Sequence, residues 1–145
     1  MIALLQRVRW AQVAVAGEVV ARIGPGLLAF VAVEREDGPD EAARLAERVV
    51  RYRIFPDGQG RMNLDLRAVG GELLVVSQFT LAADTRKGLR PSFSPAAPPE
   101  RARELVEAFA AHCRHFLPRV ASGRFGAHME VSLLNDGPVT FLLQS

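Results

Sequence analysis

A chain of 145 residues, 49% hydrophobic and 23% charged, can bury one sizeable core but hardly two, so one domain over residues 1–145 is expected. At this length roughly 70% of the unfolded surface is hidden on folding, enough to dispense with staples. The single Cys113 and the three histidines, His112, His115 and His128, exclude a disulfide framework and a rich metal site. The 18 basic residues exceed the 16 acidic ones by two, so long-range attraction to nucleic acid is modest. All but Lys87 of those bases are Arg, whose planar fork grips phosphate oxygens.

The longest purely apolar run, Leu27 to Val33, falls far short of the roughly 20 residues of a membrane span. MIALLQRVRW has no positive region ahead of an apolar segment, and Arg7 and Arg9 interrupt it. These features predict a soluble, cytosolic protein without membrane contact. From Met1 the apolar residues alternate loosely; Val13, Val15, Glu18 to Ile23 and Leu27 to Val33 continue between Gly17 and Gly24-Pro25-Gly26, as strands joined by turns. Gly38-Pro39-Asp40-Glu41 then sets Pro at a first helical position and acids in the first turn. This predicts a helix from about Pro39 to Arg53, with Ala42, Leu45, Ala46, Val49 and Tyr52 on its apolar face.

Met62, Leu64 and Leu66 alternate with polar neighbours, and Gly70-Gly71 precedes Leu73 to Val76, which predicts a central hairpin leading into Ser77-Gln78-Phe79-Thr80-Leu81. Residues 82–99 lose all periodicity and gather prolines with Arg86, Lys87 and Arg90, as an ordered loop or a flexible arm. Pro99 opens a second amphipathic helix, with Ala102, Leu105, Val106, Phe109, Cys113 and Phe116 inward and Pro118 ending it. Met129, Val131 and Leu133 alternate, Asn135 to Pro138 reads as a hairpin turn, and Val139 to Leu143 as a last strand. The sum is an α+β fold: a compact, largely antiparallel sheet or barrel with two amphipathic helices.

Little of the chemistry stands out locally. His112 and His115 are three apart on one helix but lack a third ligand, and Cys113 reads as a small core residue rather than the nucleophile of a Cys113–His128 hydrolase. Ser77, Gln78 and Thr80 interrupt an otherwise buried strand, so they either satisfy the fold or face a ligand. On a regular strand Gln78 and Thr80 share one face, with Ser77 and Phe79 on the other. No neighbouring base is visible to activate Ser77 or Thr80.

SQFTL at 77–81 running on to ADTRKGLRPSF at 83–93, then GRFGAHM at 123–129 and NDGPVT at 135–140, together with the opening MIALLQRV, closely resembles the D-aminoacyl-tRNA deacylase family. The resemblance spans essentially the whole chain. It implies a barrel-like homodimer that hydrolyses the ester between a D-amino acid and tRNA with no metal or cofactor. It also implies site residues: Ser77, Gln78, Phe79 and Thr80 in the catalytic pocket, and a cis Gly137-Pro138 reaching into the partner subunit's site. Carbonyls of that dipeptide would hold the substrate ammonium and block an L side chain, with glycyl-tRNA also accepted. Arg7 is expected to hold the Gly-Pro loop and Met129 to pack at the pocket. Arg86, Lys87 and Arg90 are the candidates for tRNA phosphates, with no role for DNA. Hydrolysis runs either through Thr80 as nucleophile or, fitting this sequence better, through the substrate 2′-hydroxyl with backbone donors near Phe79 and Thr80. His128 departs from the acid that many relatives carry between Ala and Met. The rival readings are an RNA-binding module without hydrolysis and a small-molecule esterase.

Overall fold

The computed structural model describes residues 1–145. Strand β1 (Ile2–Val15) runs antiparallel to both β2 (Glu18–Ile23) and β3 (Gly26–Ala32), which follow one another along one edge of β1 instead of pairing with each other; the predicted meander does not form, because Gly24-Pro25-Gly26 bends the chain without reversing it. Helix α1 (Pro39–Arg51) follows, then the short strands β4 (Phe55–Pro56) and β5 (Met62–Leu64). Strand β6 (Glu72–Ser77), a 3-10 turn (Phe79–Ala82), helix α2 (Pro99–Arg114), β7 (Val120–Ser122) and β8 (Glu130–Gln144) complete the chain. The main sheet runs β2-β1-β3-β6-β7, with β8 on the other edge of β1. Because β2 also lies against β6 and β7, the mostly antiparallel sheet curls back on itself into a barrel-like shape.

Helix α1 starts where Pro39 and the acids predict. The Glu41 carboxylate accepts the Gly38 N–H at 2.7 Å, and this bond holds its pKa below the usual carboxylate range. The two helices pack together on the outer face of the sheet. There Leu5, Leu27, Leu73 and Val75 join Leu45, Val49, Leu105 and Phe109 in the larger core. The inner face buries Val8, Val13, Ile23, Leu28, Leu74 and Val76 in a second cluster. Cys113 is fully buried in the larger core, and burial pushes its thiol up to about 12.

Three further expectations fail for identifiable reasons. The central hairpin does not form: β5 pairs with β4, while β6 runs parallel to β3 and to β7. Leu73 to Val76 are buried on both faces, as in a parallel strand, where a half-solvated hairpin strand would alternate. Gly71 is a close-approach glycine rather than a turn residue, since a Cβ there would lie 2.6 Å from Leu66 Cδ1 and 3.3 Å from Gly26 Cα. Asn135 to Pro138 is not a hairpin turn but a bulge inside the continuous β8, which stays paired with β1 on both sides of it. Phe116 is 38% exposed rather than inward, because α2 ends at Arg114 and Leu117 takes the buried place.

Gly26 opens the parallel pairing with β6, opposite Glu72. A Cβ at Gly26 would fall 1.9 Å from the Glu72 carbonyl oxygen, and neither backbone can withdraw without breaking the ladder. Gly26→Ala is therefore expected to destabilise the protein by about 3 kcal/mol or more, against within about 0.5 kcal/mol for Gly58→Ala, where the space is open. Urea unfolding of the two variants checks this.

Candidate functional site

The LLVV run ends at Ser77, and the chain then leaves the sheet. Gln78 N–H donates to Val31 O at 2.8 Å, and residues 79–82 coil into a 3-10 turn instead of continuing as a strand. The expected sharing of faces between Gln78 and Thr80 is therefore replaced by a tighter arrangement: Gln78 Nε2 donates to Thr80 Oγ1 at 2.5 Å. The first bonded amide of the turn is Leu81, to Gln78 O at 3.1 Å, which leaves the Phe79 and Thr80 N–H groups without an acceptor inside it.

Beside this turn is a mostly apolar cavity of about 470 Å³. Its walls are the end of β3 (Val31 to Val33), Ser77 to Phe79, the first two turns of α2 (Pro99, Ala102, Val106), and the segment Phe125 to Met129. Met129 is half-buried and also packs on the inner core. Gly123 faces it so closely that a Cβ there would sit 2.8 Å from Met129 Sδ. His128 lines the rim and is exposed. Thr80 is exposed outside the lining, and Phe79, 58% exposed, packs tilted at 52° against Phe93 with ring centroids 5.1 Å apart.

Gly137 and Pro138 do not line this cavity. They lie exposed in the β8 bulge, joined by a cis peptide bond. On β1 the pairs Gln6–Thr140 and Val8–Asn135 flank Arg7 alone, so residues 136–139 of β8 stand opposite a single residue. Arg7, only 12% exposed, fills the gap: Nε donates to Asp136 O at 3.1 Å and Nη1 to Ile54 O at 2.8 Å. The neck of the bulge is closed by Asn135, whose Oδ1 accepts the Val139 N–H at 3.1 Å. Gly137 has φ +136°, and a Cβ there would lie 2.6 Å from Val139 Cγ2.

The 82–99 segment is ordered by two isolated bridges, Asp84–Ser92 and Glu34–Ala96. Asp84 grips Arg86 through Nε at 2.9 Å and Nη2 at 2.7 Å, which holds the Asp84 carboxyl well below the usual carboxylate range. Of the three candidate tRNA contacts, Arg86 is thus already engaged, while Lys87 and Arg90 are exposed; none of them borders the cavity. The residues that sequence reasoning missed are those of α2 and of Phe125, which meet the cavity only through the tertiary fold. No group of three or more His, Cys, Asp or Glu side chains is brought together.

The family model described as D-Tyr-tRNA(Tyr) deacylase matches residues 4–144. The chain belongs to that family. Its relatives include the D-aminoacyl-tRNA deacylase of Nitrosococcus oceani, 62% identical over 99% of this chain and 93% of the relative. That of Azotobacter vinelandii is 61% identical over the full length of both. Among solved structures, the c-Myc DNA unwinding element binding protein superposes with a TM-score of 0.95 at 35% identity, covering 100% of this chain and 99% of that one. A probable eukaryotic D-amino acid tRNA deacylase, 17% identical with a TM-score of 0.86, shares the fold over 99% of this chain and 98% of its own.

Removing Arg7 leaves the Asp136 and Ile54 carbonyls without its guanidinium. Arg7→Ala is expected to cost about 2–3 kcal/mol by urea unfolding and to speed amide exchange at Val139, with Arg7→Lys between it and the parent, because an ammonium lacks the fork. Unchanged exchange at Val139 would show that Asn135 alone holds the bulge.

Proposed function

We propose that the protein hydrolyses the ester linking a D-amino acid to the terminal adenosine of tRNA, with the aminoacyl-adenosine seated in the cavity beside Ser77 to Phe79. The observation that carries this reading is the SQFT segment itself, rebuilt as a 3-10 turn at the cavity mouth with two consecutive free amides. Membership of the deacylase family supports it. The amides of Phe79 and Thr80 are suited to receive the carbonyl oxygen as it gains charge.

Thr80 is a poor nucleophile here. Its hydroxyl is bonded by the Gln78 carboxamide nitrogen, a donor that accepts no proton. Water instead adds to the ester carbon, and the bond to the ribose 3′-oxygen breaks. The proton that water loses passes through the adjacent 2′-hydroxyl to that departing oxygen, so no protein base is consumed. No metal or cofactor takes part in this scheme, and the setting is the cytoplasm, where charged tRNA is used.

Selectivity needs a wall that an L side chain strikes. We assign it to the carbonyls of the partner subunit's Gly137 and the partner subunit's Pro138, which would bind the substrate ammonium in a homodimer. Two features support this: both residues are exposed and lie outside their own chain's cavity, and Arg7 and Asn135 hold the bulge that presents them. Pocket contacts that tell side chains apart by a methylene are worth only about 1–3 kcal/mol, whereas a backbone clash excludes the wrong hand outright. Such a wall leaves glycine untouched.

Incubation with D-tyrosyl-, glycyl- and L-alanyl-tRNA tests the reading: the first two esters are expected to be lost and the third retained. Equal loss of all three would mark an unselective esterase, and no loss an RNA-binding module. In the same assay Thr80→Ala should keep more than about a tenth of the parent rate, while substrate ending in 2′-deoxyadenosine should react slower by about two orders of magnitude or more. Loss of the Thr80→Ala rate by several orders of magnitude would restore the covalent route.

The homodimer has its own test. Gly137→Ala, strained by its backbone and by Val139, is expected to be inactive alone. Ala127→Trp, which fills the cavity and leaves the bulge intact, should also be inactive alone, and mixing the two variants should restore one working site per heterodimer, where the intact cavity of one chain meets the intact bulge of the other; sites contained within one chain would stay dead. A fully active monomer by solution scattering at micromolar concentration would refute the arrangement.

A further inference from the structure

Behind the wall formed by Ser77, Val106 and Phe125, the cavity adjoins a second cleft of about 240 Å³ between α2 and β7. The two hollows share those three residues. The first is mostly apolar; the second is bounded by Arg103, Glu107 and Arg114 on one side and by Ser122 and Gly123 on the other. Positions 103, 107, 110 and 114 recur at helical spacing, so the charges form one stripe along α2 above the cleft, with the buried Ala110 between them.

The two arginines are not held by carboxylates, as several others in the chain are. Arg86, Arg101, Arg44, Arg51 and Arg119 each hold a carboxylate, at 2.5 to 3.4 Å. Arg103 instead lies over the Phe125 ring, 5.2 Å from its centroid, and Arg114 has no carboxylate partner. Arg103 therefore rests on the very residue that divides the two hollows, with its guanidinium edge free for an anion.

We propose that this cleft is a backbone track for the single-stranded end of the tRNA, binding phosphodiester groups on the 5′ side of the terminal adenosine. The inference rests on the reading of the cavity as the seat of that adenosine. A polymer whose last nucleoside occupies the cavity must leave across its rim, and the cleft continues from the side lined by Ser77, Val106 and Phe125, the residues common to both. Two positive charges against the one of Glu107 leave a net positive cleft, which attracts phosphate groups. Arg103 and Arg114 are eleven residues apart, about 16 Å at 1.5 Å of rise per residue, so they meet different phosphates rather than chelating one. Both arginines would meet the backbone and not the base edges, so the track is sequence-tolerant.

The test compares Arg103→Gln/Arg114→Gln with the parent on two substrates, D-tyrosyl-tRNA and 3′-O-D-tyrosyl-adenosine, the second carrying no phosphate. Both arginines are exposed, so the double variant should melt with the parent. The expected result is a rise in KM for the tRNA on the order of 10-fold and a log–log salt dependence shallower by about 1.4, with hydrolysis of the adenosine ester unchanged. No change on tRNA, or an equal loss on both substrates, overturns the track. If the parent hydrolyses neither substrate, the deacylase reading falls by itself. Binding of an uncharged acceptor-stem minihelix ending in CCA then decides the track: weaker binding by the double variant supports it, and equal affinity overturns it.

Discussion

Strand β1 bonds along both of its edges, to β2 and β3 on one side and to β8 on the other, and that double pairing closes the curved sheet. The constraint this sets is geometric. A ladder so extended allows β8 to leave register only if something else meets the polar groups it abandons. Arg7 is the one β1 residue at the break, and its guanidinium reaches Asp136 O in the bulge and Ile54 O in the segment after α1. The outward reach of Gly137 and Pro138 is thus tied to the outer helical layer through one side chain.

The cavity follows from the same architecture. Parallel β6 ends against β3, and its alternating side chains are divided between the outer and inner cores, so the chain beyond Val76 has no further apolar surface to cover. Polar Ser77 and Gln78 stand where that burial stops, and the backbone winds into a turn that turns its own amides outward. In the proposed scheme such a site works largely with main-chain groups, which packing holds rigid and which side-chain rotamers do not blur. The family's fold supplies the frame, and the scheme assigns the chemistry to two short irregular segments.

Much of the frame could be read from residue patterns. The opening strands and both helices follow from local alternation, from Pro39 and Pro99 at helix starts, and from acids in the first turns, although the strands do not pair as the meander they suggest. The failures share a cause. Leu73 to Val76 reads alike as a hairpin strand or a parallel one, and only the β3 and β7 neighbours decide. SQFTL has the composition of a strand, yet Gln78 N–H finds Val31 O and the sheet stops there. Asn135 to Pro138 carries every mark of a tight turn, and only the continued pairing of Val139 to Gln144 with β1 makes it a bulge. The family's motifs named Arg7 and the Gly-Pro pair where local physics saw a surface strand and a turn. Neither route gave Phe125 or Arg103 a role, and the two meet only in the folded chain, with the Arg103 guanidinium over the Phe125 ring.

The lone thiol has a bearing on how such a protein ages. Oxidants attack the thiolate form of cysteine, and at pH 8 a group with its pKa near 12 is ionised to about one part in ten thousand. Cys113 is moreover sealed in the core, beyond the reach of peroxide. Its sulfur takes no part in the proposed hydrolysis, so a burst of peroxide that silences thiol-dependent enzymes leaves this chemistry without an obvious target among the cysteines. The exposed sulfur is a thioether instead: Met62 lies at the surface and does not line the cavity, while Met129 is half-shielded by Gly123 and the inner core.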